Sequence, residues 1–188
     1  MQITQANIPA TAEAIREFEP QLGRIFLEHK ERIFRAAYRI TGNTGDAEDV
    51  LQTVFLRLAR QERFPKIGNL AAYLHRSAVN ASLDVLRIRK DARSVSLDGG
   101  ADDESRRQLA VTEDSIQPSV EIRDWLRQAL SRLNPRWAEM FVLRFIEDYS
   151  NREIARMMKT SSAVVAVVLH RTRTQLKKDY KESARGRL

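Results

Sequence analysis

The sequence predicts an all-α protein in which two small helical domains are joined by a flexible linker. Three observations lead there. The 188 residues include only seven glycines and five prolines, and they are rich in Leu, Ala, Arg and Glu, which lose little on entering a helix. Hydrophobic residues make up 43% of the chain and recur at helical spacing on either side of a gap. The gap, residues 91–118, holds Ser94, Ser96, Gly99, Gly100, Asp102, Asp103, Ser115 and Pro118 among few large apolar side chains. That composition suits a flexible connection longer than an ordinary loop. The expected boundaries are 20–93 for the first domain, 94–119 for the linker and 120–180 for the second domain.

In the first domain, Leu22, Ile25, Phe26, Ile33, Phe34, Ala37 and Tyr38 form one apolar stripe over residues 22–40, and Gly42-Asn43-Thr44-Gly45 ends it. A second helix is expected from Asp46 to Arg60. Its acidic start suits the positive end of a helix dipole, and Val50, Leu51, Val54, Phe55 and Leu58 make its buried face. A polar loop, Gln61 to Gly68, leads to a third helix from Asn69 to Lys90, with Leu70, Tyr73, Leu74, Ala78, Ala81 and Val85 inward.

In the second domain, Trp125, Leu126, Ala129, Leu130 and Leu133 form a stripe. Asn134-Pro135 breaks and restarts the helix, because proline is tolerated in a first turn. Ser150-Asn151-Arg152-Glu153 reads as a capping box for a short helix carrying Ile154, Ala155 and Met158. A turn from Lys159 to Ser162 precedes a last helix, Ala163 to Lys178. A short capped helix, a tight turn and a longer helix with a basic end make a helix-turn-helix pattern; bundle packing without DNA fits it equally. Val164 to Val168 is apolar and largely β-branched where a DNA-reading helix is expected to be polar, and the run resembles a buried strand.

Composition excludes several classes of function. The absence of cysteine removes disulfides, thiolate metal sites and cysteine nucleophiles. His29, His75 and His170 have no metal-ligand spacing, so no metal or cofactor is expected. No Gly-rich phosphate loop, nucleophile–base pair or pocket of paired carboxylates is evident, so neither catalysis nor a small-molecule substrate is expected. No apolar run approaches the roughly 20 residues of a membrane span, and the first residues lack the pattern of a signal peptide. The expectation is a cytoplasmic protein. The net charge of +7 is unevenly spread: residues 57–93 hold nine Lys/Arg against three acids, residues 94–124 three against eight, and residues 169–188 seven against two. Two basic blocks flanking an acidic stretch suit two DNA-contacting surfaces joined by a linker; solvated helix faces would have the same composition.

Four segments carry a resemblance. GDAEDVLQTVFLRLAR (Gly45–Arg60) is similar to region 2.2 of bacterial sigma factors, and AAYLHRSAVNASLDVLRIRK (Ala71–Lys90) to regions 2.3 and 2.4. LSRLNPRWAEMFVLRFIEDYSNREIARMM (Leu130–Met158) resembles region 4.1 and the start of 4.2, and LHRTRTQL (Leu169–Leu176) the end of 4.2. In this order and spacing they resemble the extracytoplasmic-function (ECF) group of sigma-70-like factors. The resemblance implies a region 2-like domain of three or four helices and a region 4-like helix-turn-helix domain. It also implies two partners, the RNA polymerase core and promoter DNA, and admits an anti-sigma factor as a third.

By this resemblance Asp46, Glu48, Asp49, Gln52 and Arg57 bind core polymerase; helix-start electrostatics would account for the acids without a partner. The −10 element falls to Arg63, Phe64, Lys66, Asn69, Tyr73, Arg76, Asn80, Arg87, Arg89 and Lys90, which supply the cations, aromatics and amides that hold unpaired bases and phosphates. Phe64 and Tyr73 are equally suited to a core, and Asp84 to an intrahelical pair with a neighbouring Arg. The −35 element falls to Arg152, Ser161, Ser162, Val164, His170, Arg171 and Arg173. Here the sequence departs from the family, because Val164, Ala166, Val167 and Val168 cannot make paired hydrogen bonds to base edges. The expected function is promoter recognition and −10 melting by a non-catalytic polymerase subunit. The alternative is a standalone helix-turn-helix regulator.

Overall fold

The computed structural model describes the backbone of residues 9–60, 69–95 and 120–185, and the side chains of 21–60, 69–92 and 120–185. The described residues form seven helices and no strand: α1 (Pro9–Thr41), α2 (Thr44–Ala59), α3 (Leu70–Val95), α4 (Val120–Arg132), α5 (Pro135–Phe145), α6 (Asn151–Met157) and α7 (Ser162–Arg185). The apolar run Val164–Val168 lies within α7. Three helices are longer than expected: α1 starts at Pro9, α3 continues past Lys90 to Val95 and so takes in the first two residues assigned to the linker, and α7 continues to Arg185. Arg63, Phe64, Lys66 and most of the 94–119 linker lie outside the described residues.

Each junction follows local chemistry. Gly42 closes α1 with φ +69°, and its N–H donates to the Tyr38 carbonyl at 2.8 Å. Asn43 then caps α2, its side chain accepting from the Asp46 N–H at 3.0 Å. Asn69 caps α3 by accepting from the Ala72 N–H at 2.9 Å. Asn134 caps α5, with Pro135 in the first turn. Ser150 and Glu153 form the expected capping box, and the Ser161 hydroxyl accepts from the Val164 N–H at 3.2 Å to start α7.

One cluster unites α1, α2 and α3 through Ile25, Ile33, Ala37, Val50, Val54, Phe55, Leu58, Leu74, Ala78 and Ala81. A second joins α4 to α7 through Leu130, Met140, Leu143, Ile154, Val165, Leu169 and Leu176. The second cluster also takes in Ile40 from α1 and Val79, Leu83 and Leu86 from α3. The two halves are therefore packed together. Helix α3 carries two apolar stripes, one facing each half, whereas the sequence reading assigned it a single inward face. Burial of a side chain of this size stabilises by about 1.5–3 kcal/mol, so the second stripe contributes materially to holding the halves together. No helix among the described residues is long and apolar enough to cross a membrane.

Candidate nucleic-acid and polymerase interfaces

Helix α2 presents Glu48, Asp49, Gln52 and Arg57 to solvent, while Val50, Val54, Phe55 and Leu58 are buried behind them. Leu56 lies exposed on the same outer surface; the sequence reading passed over it because it falls off the buried stripe. Asp46 behaves differently from its acidic neighbours. It is half-buried, and Arg89 of α3 donates to it at 2.6 Å. Burial pushes its carboxyl above the usual aspartate range, and Arg89 offsets only part of that rise. Asp46 thus ties α2 to α3.

Along α3, most of the expected DNA-contacting side chains already have partners. Arg76 Nε donates to Glu139 of α5 at 2.5 Å, and its Nη1 donates to the Met157 carbonyl at 2.9 Å. Asn80, one turn on, donates to the same Glu139 oxygen at 3.1 Å. Arg87 pairs with Asp84 at 2.8 Å, the intrahelical pair the sequence suggested. Lys90 is exposed, and Tyr73 packs half-buried against the first cluster. Asn69 spends its side chain on the helix cap.

Several residues that build this seam were not singled out from sequence. Glu139 is only 5% exposed. Its position four residues before the buried Leu143 was the available signal, since a carboxylate in a core-facing row needs partners. In the turn between α5 and α6, Asp148 adopts φ +56°. Its neighbours Glu147 and Tyr149 both meet the first half. Glu147 Oε2 lies 2.7 Å from His75 Nε2 and accepts from Arg39 at 3.1 Å. Tyr149 sets its ring edge-on to His75, and its hydroxyl accepts from Arg32 at 3.0 Å. Across the same seam, Arg127 of α4 donates to the Ile40 carbonyl at 3.2 Å, with its guanidinium against Gly42 where a Cβ would collide. Arg76 and Arg127 are thus reciprocal caps. Each crosses from one half to an orphan carbonyl at the helix end of the other, where a cation also suits the dipole.

Helix α7 packs through Val165, Leu169, Thr172 and Leu176. Its outer face carries Ser162, Val164, Ala166, Val167, His170, Arg171 and Arg173, all exposed, as are its capping residue Ser161 and Arg152 in the first turn of α6. Val164 and Val167 are 46% and 51% exposed, so these valines do not serve the core; Val168 is half-buried against it. The capping box beside this face holds the Glu153 carboxyl below the usual glutamate range, chiefly through the hydrogen bond from the Ser150 hydroxyl and then that from its N–H. No group of His, Asp and Glu among the described residues is arranged to hold a metal ion.

The family model for Sigma-70 region 2 matches residues 25–93, and that for Sigma-70 region 4 matches residues 123–176. The chain is 31% identical to the ECF RNA polymerase sigma factor SigE of Mycolicibacterium smegmatis, over 94% of this chain and 63% of that protein. It is 30% identical to the RNA polymerase sigma factor CarQ of Myxococcus xanthus, over 78% of this chain and 82% of CarQ. Among solved structures it resembles CnrH in complex with the cytosolic domain of CnrY, with TM-score 0.54 and 20% identity over 92% of this chain and 95% of that one.

Proposed function

The chain belongs to the ECF group of the sigma-70 family, and from that premise we propose that it carries core RNA polymerase to promoter DNA and opens the −10 element. The observation that carries this reading is the pair of family matches, region 2 over α1 to α3 and region 4 over α4 to α7. The family is not an enzyme class; polymerase performs the chemistry. The work of this subunit is energetic, because docking, phosphate contacts and capture of unpaired bases lower the cost of strand opening. It acts where polymerase acts, in the cytoplasm. Its partners are core polymerase and promoter DNA, with an anti-sigma factor admitted by the family.

In this reading the exposed Glu48, Asp49, Gln52 and Arg57 of α2 dock on a basic surface of polymerase. Asp46, engaged with Arg89, supports that face from behind. Helix α3, through Arg76 and Asn80, and the residues Arg63, Phe64 and Lys66 that precede it in sequence hold the opened strand. Helix α7 anchors on phosphates through His170, Arg171 and Arg173, and its valines offer methyl contacts in place of hydrogen-bonded base readout.

Pull-down with core polymerase followed by run-off transcription on a promoter library tests the function. The wild type should direct specific initiation, and Glu48→Lys with Asp49→Lys should abolish co-purification while circular dichroism stays unchanged. Duplex DNA binding without any association with core polymerase would instead identify a standalone regulator.

A further inference from the structure

We propose that the C-terminal end of α7, from Lys177 to Arg185, is a basic arm that grips the phosphate backbone of duplex DNA beside the −35 element, outside the groove that α7 enters. The inference rests on the reading that α7 docks on that element. It extends the contact past the part of the helix that the family accounts for.

The charge is on the page and unassigned. The family match ends at residue 176, whereas α7 continues to Arg185. Of the seven Lys/Arg in residues 169–188, only Arg171 and Arg173 fall within the match; Lys177, Lys178, Lys181, Arg185 and Arg187 follow it. Lys177, Lys178, Lys181 and Arg185 are all exposed. Arg171, Lys178 and Arg185 recur every seven residues, about two helical turns apart, and so share one face with Lys181 beside them. Val164 lies seven residues before Arg171 on the same face, so the arm continues the surface proposed for the −35 element. Of the two acids in the arm, Asp179 is half-buried. Glu182 is exposed and pairs only loosely with Lys178, at 3.9 Å.

The arm is also held in place. The buried side chains of α7 end at Leu176, and a helix end beyond its last packed residue ordinarily frays. Here Tyr180 sets its ring edge-on to Trp125 of α4, with centroids 5.0 Å apart, and Trp125 packs on the second cluster. This pin lies one turn past Leu176, so the cations around it are fixed before DNA arrives and lose little freedom on binding it.

Helix length decides what the arm meets. At about 1.5 Å of rise per residue, Lys178 to Arg185 lie about 20–30 Å along the axis from Val164. The major groove is about 12 Å wide, and a recognition helix enters it with its N-terminal residues. The arm therefore emerges over the flanking backbone. Val164 and Val167 donate nothing to base edges, so phosphates must supply the affinity of this helix.

The test uses the full-length protein bound to core polymerase, on a promoter from which the wild type initiates. K178A/K181A/R185A places a strong helix former at each exposed position. It should make the slope of log affinity against log salt shallower by about three, near one per phosphate contact. Phosphate-ethylation interference should lose sensitive positions flanking the −35 element and keep those within it. K178R/K181R should behave as wild type. Y180A keeps every cation, removes the pin and should lose part of the same flanking positions. An unchanged slope and interference pattern in the alanine variant would overturn the arm and leave a solvated helix face. Weakened pull-down of core polymerase with an unchanged phosphate pattern would also overturn it, by assigning the arm to an acidic protein surface. R171A separates the two layers. If it makes the slope shallower and the alanine variant does not, α7 meets DNA and the arm falls. If neither does, the −35 role of α7 falls with it.

Discussion

The two helices proposed to contact DNA, α3 and α7, share a pattern of charge and differ in their surroundings. Both are amphipathic and carry basic residues toward their C-terminal ends. On α3, Arg76, Arg87 and Arg89 each rest on a carboxylate, of Glu139, Asp84 and Asp46 respectively. On α7, Arg171 and Arg173 are exposed and make no ion pair among the described residues. The difference comes from position. Helix α3 lies between the two clusters and is apolar on both sides, so its polar groups fall at the edges of contacts and are drawn into them. Helix α7 closes one side of the second cluster and leaves half its circumference to solvent. A basic residue is thus open to a partner or already occupied according to what packs beside its helix.

The most disruptive way to break this comparison is to empty the second stripe of α3. Leu83→Ala removes a side chain that is 1% exposed and should cost about 2–5 kcal/mol in urea denaturation. Both tryptophans, Trp125 and Trp137, lie in the second half, so their fluorescence follows that half while circular dichroism follows every helix. The loss should register in both signals. A loss confined to circular dichroism would make α3 a member of the first half alone.

Ser150→Ala tests the corner that carries Glu147 and Tyr149 to the seam. Loss of this N-cap should lower stability by about 0.5–2 kcal/mol in thermal unfolding; an unchanged midpoint would mean that packing alone fixes α6. On α7, Arg171→Ala or Arg173→Ala should weaken every −35 sequence about equally and reduce the salt slope of binding by about one each. Strong preference at several G or C positions would break the contrast from the other side, by showing base readout from a face lined with valines.

The smallest effect separates two carboxylates by pH. The Asp46 pKa is raised in the folded protein, so its contribution to stability declines as pH rises from the ordinary aspartate range through that raised value. The Glu153 pKa is lowered, so its contribution is present above the ordinary glutamate range and is lost as pH falls through the depressed value. Asp46→Asn should flatten the first change and Glu153→Gln the second, both read by thermal unfolding across acidic pH. The same slope in wild type and both variants would remove the electrostatic distinction between these carboxylates.

Much of the architecture was legible because its signals are local. The stripe from Val50 to Leu58, the break at Asn134-Pro135 and the capping box at Ser150 each depend on residues within a turn or two. Each recurs in the structure as read. The exposed part of the candidate surface was legible for the same reason: Glu48, Asp49, Arg171 and Arg173 lie off the apolar stripes. Harder to read was the second stripe of α3. Val79, Leu83 and Leu86 recur at helical spacing, but Leu74, Ala78 and Ala81 already satisfied the expectation of one inward face.

Sequence by itself determined the helices, the capping box at Ser150 and the helix-turn-helix, which follow from spacing and short-range hydrogen bonding, and its motifs carried the resemblance to the family. Only the tertiary structure decided which charges are free. Glu139 and Arg76 are 63 positions apart, and Arg127 and Ile40 are 87 apart. No local pattern specifies such pairs: the spacing of Glu139 to Leu143 shows that this carboxylate needs a partner, but not that the partner comes from α3. Burial of the two apolar faces of α3 brings the halves together. Once the seam excludes water, each charge within it requires a partner from the opposite side.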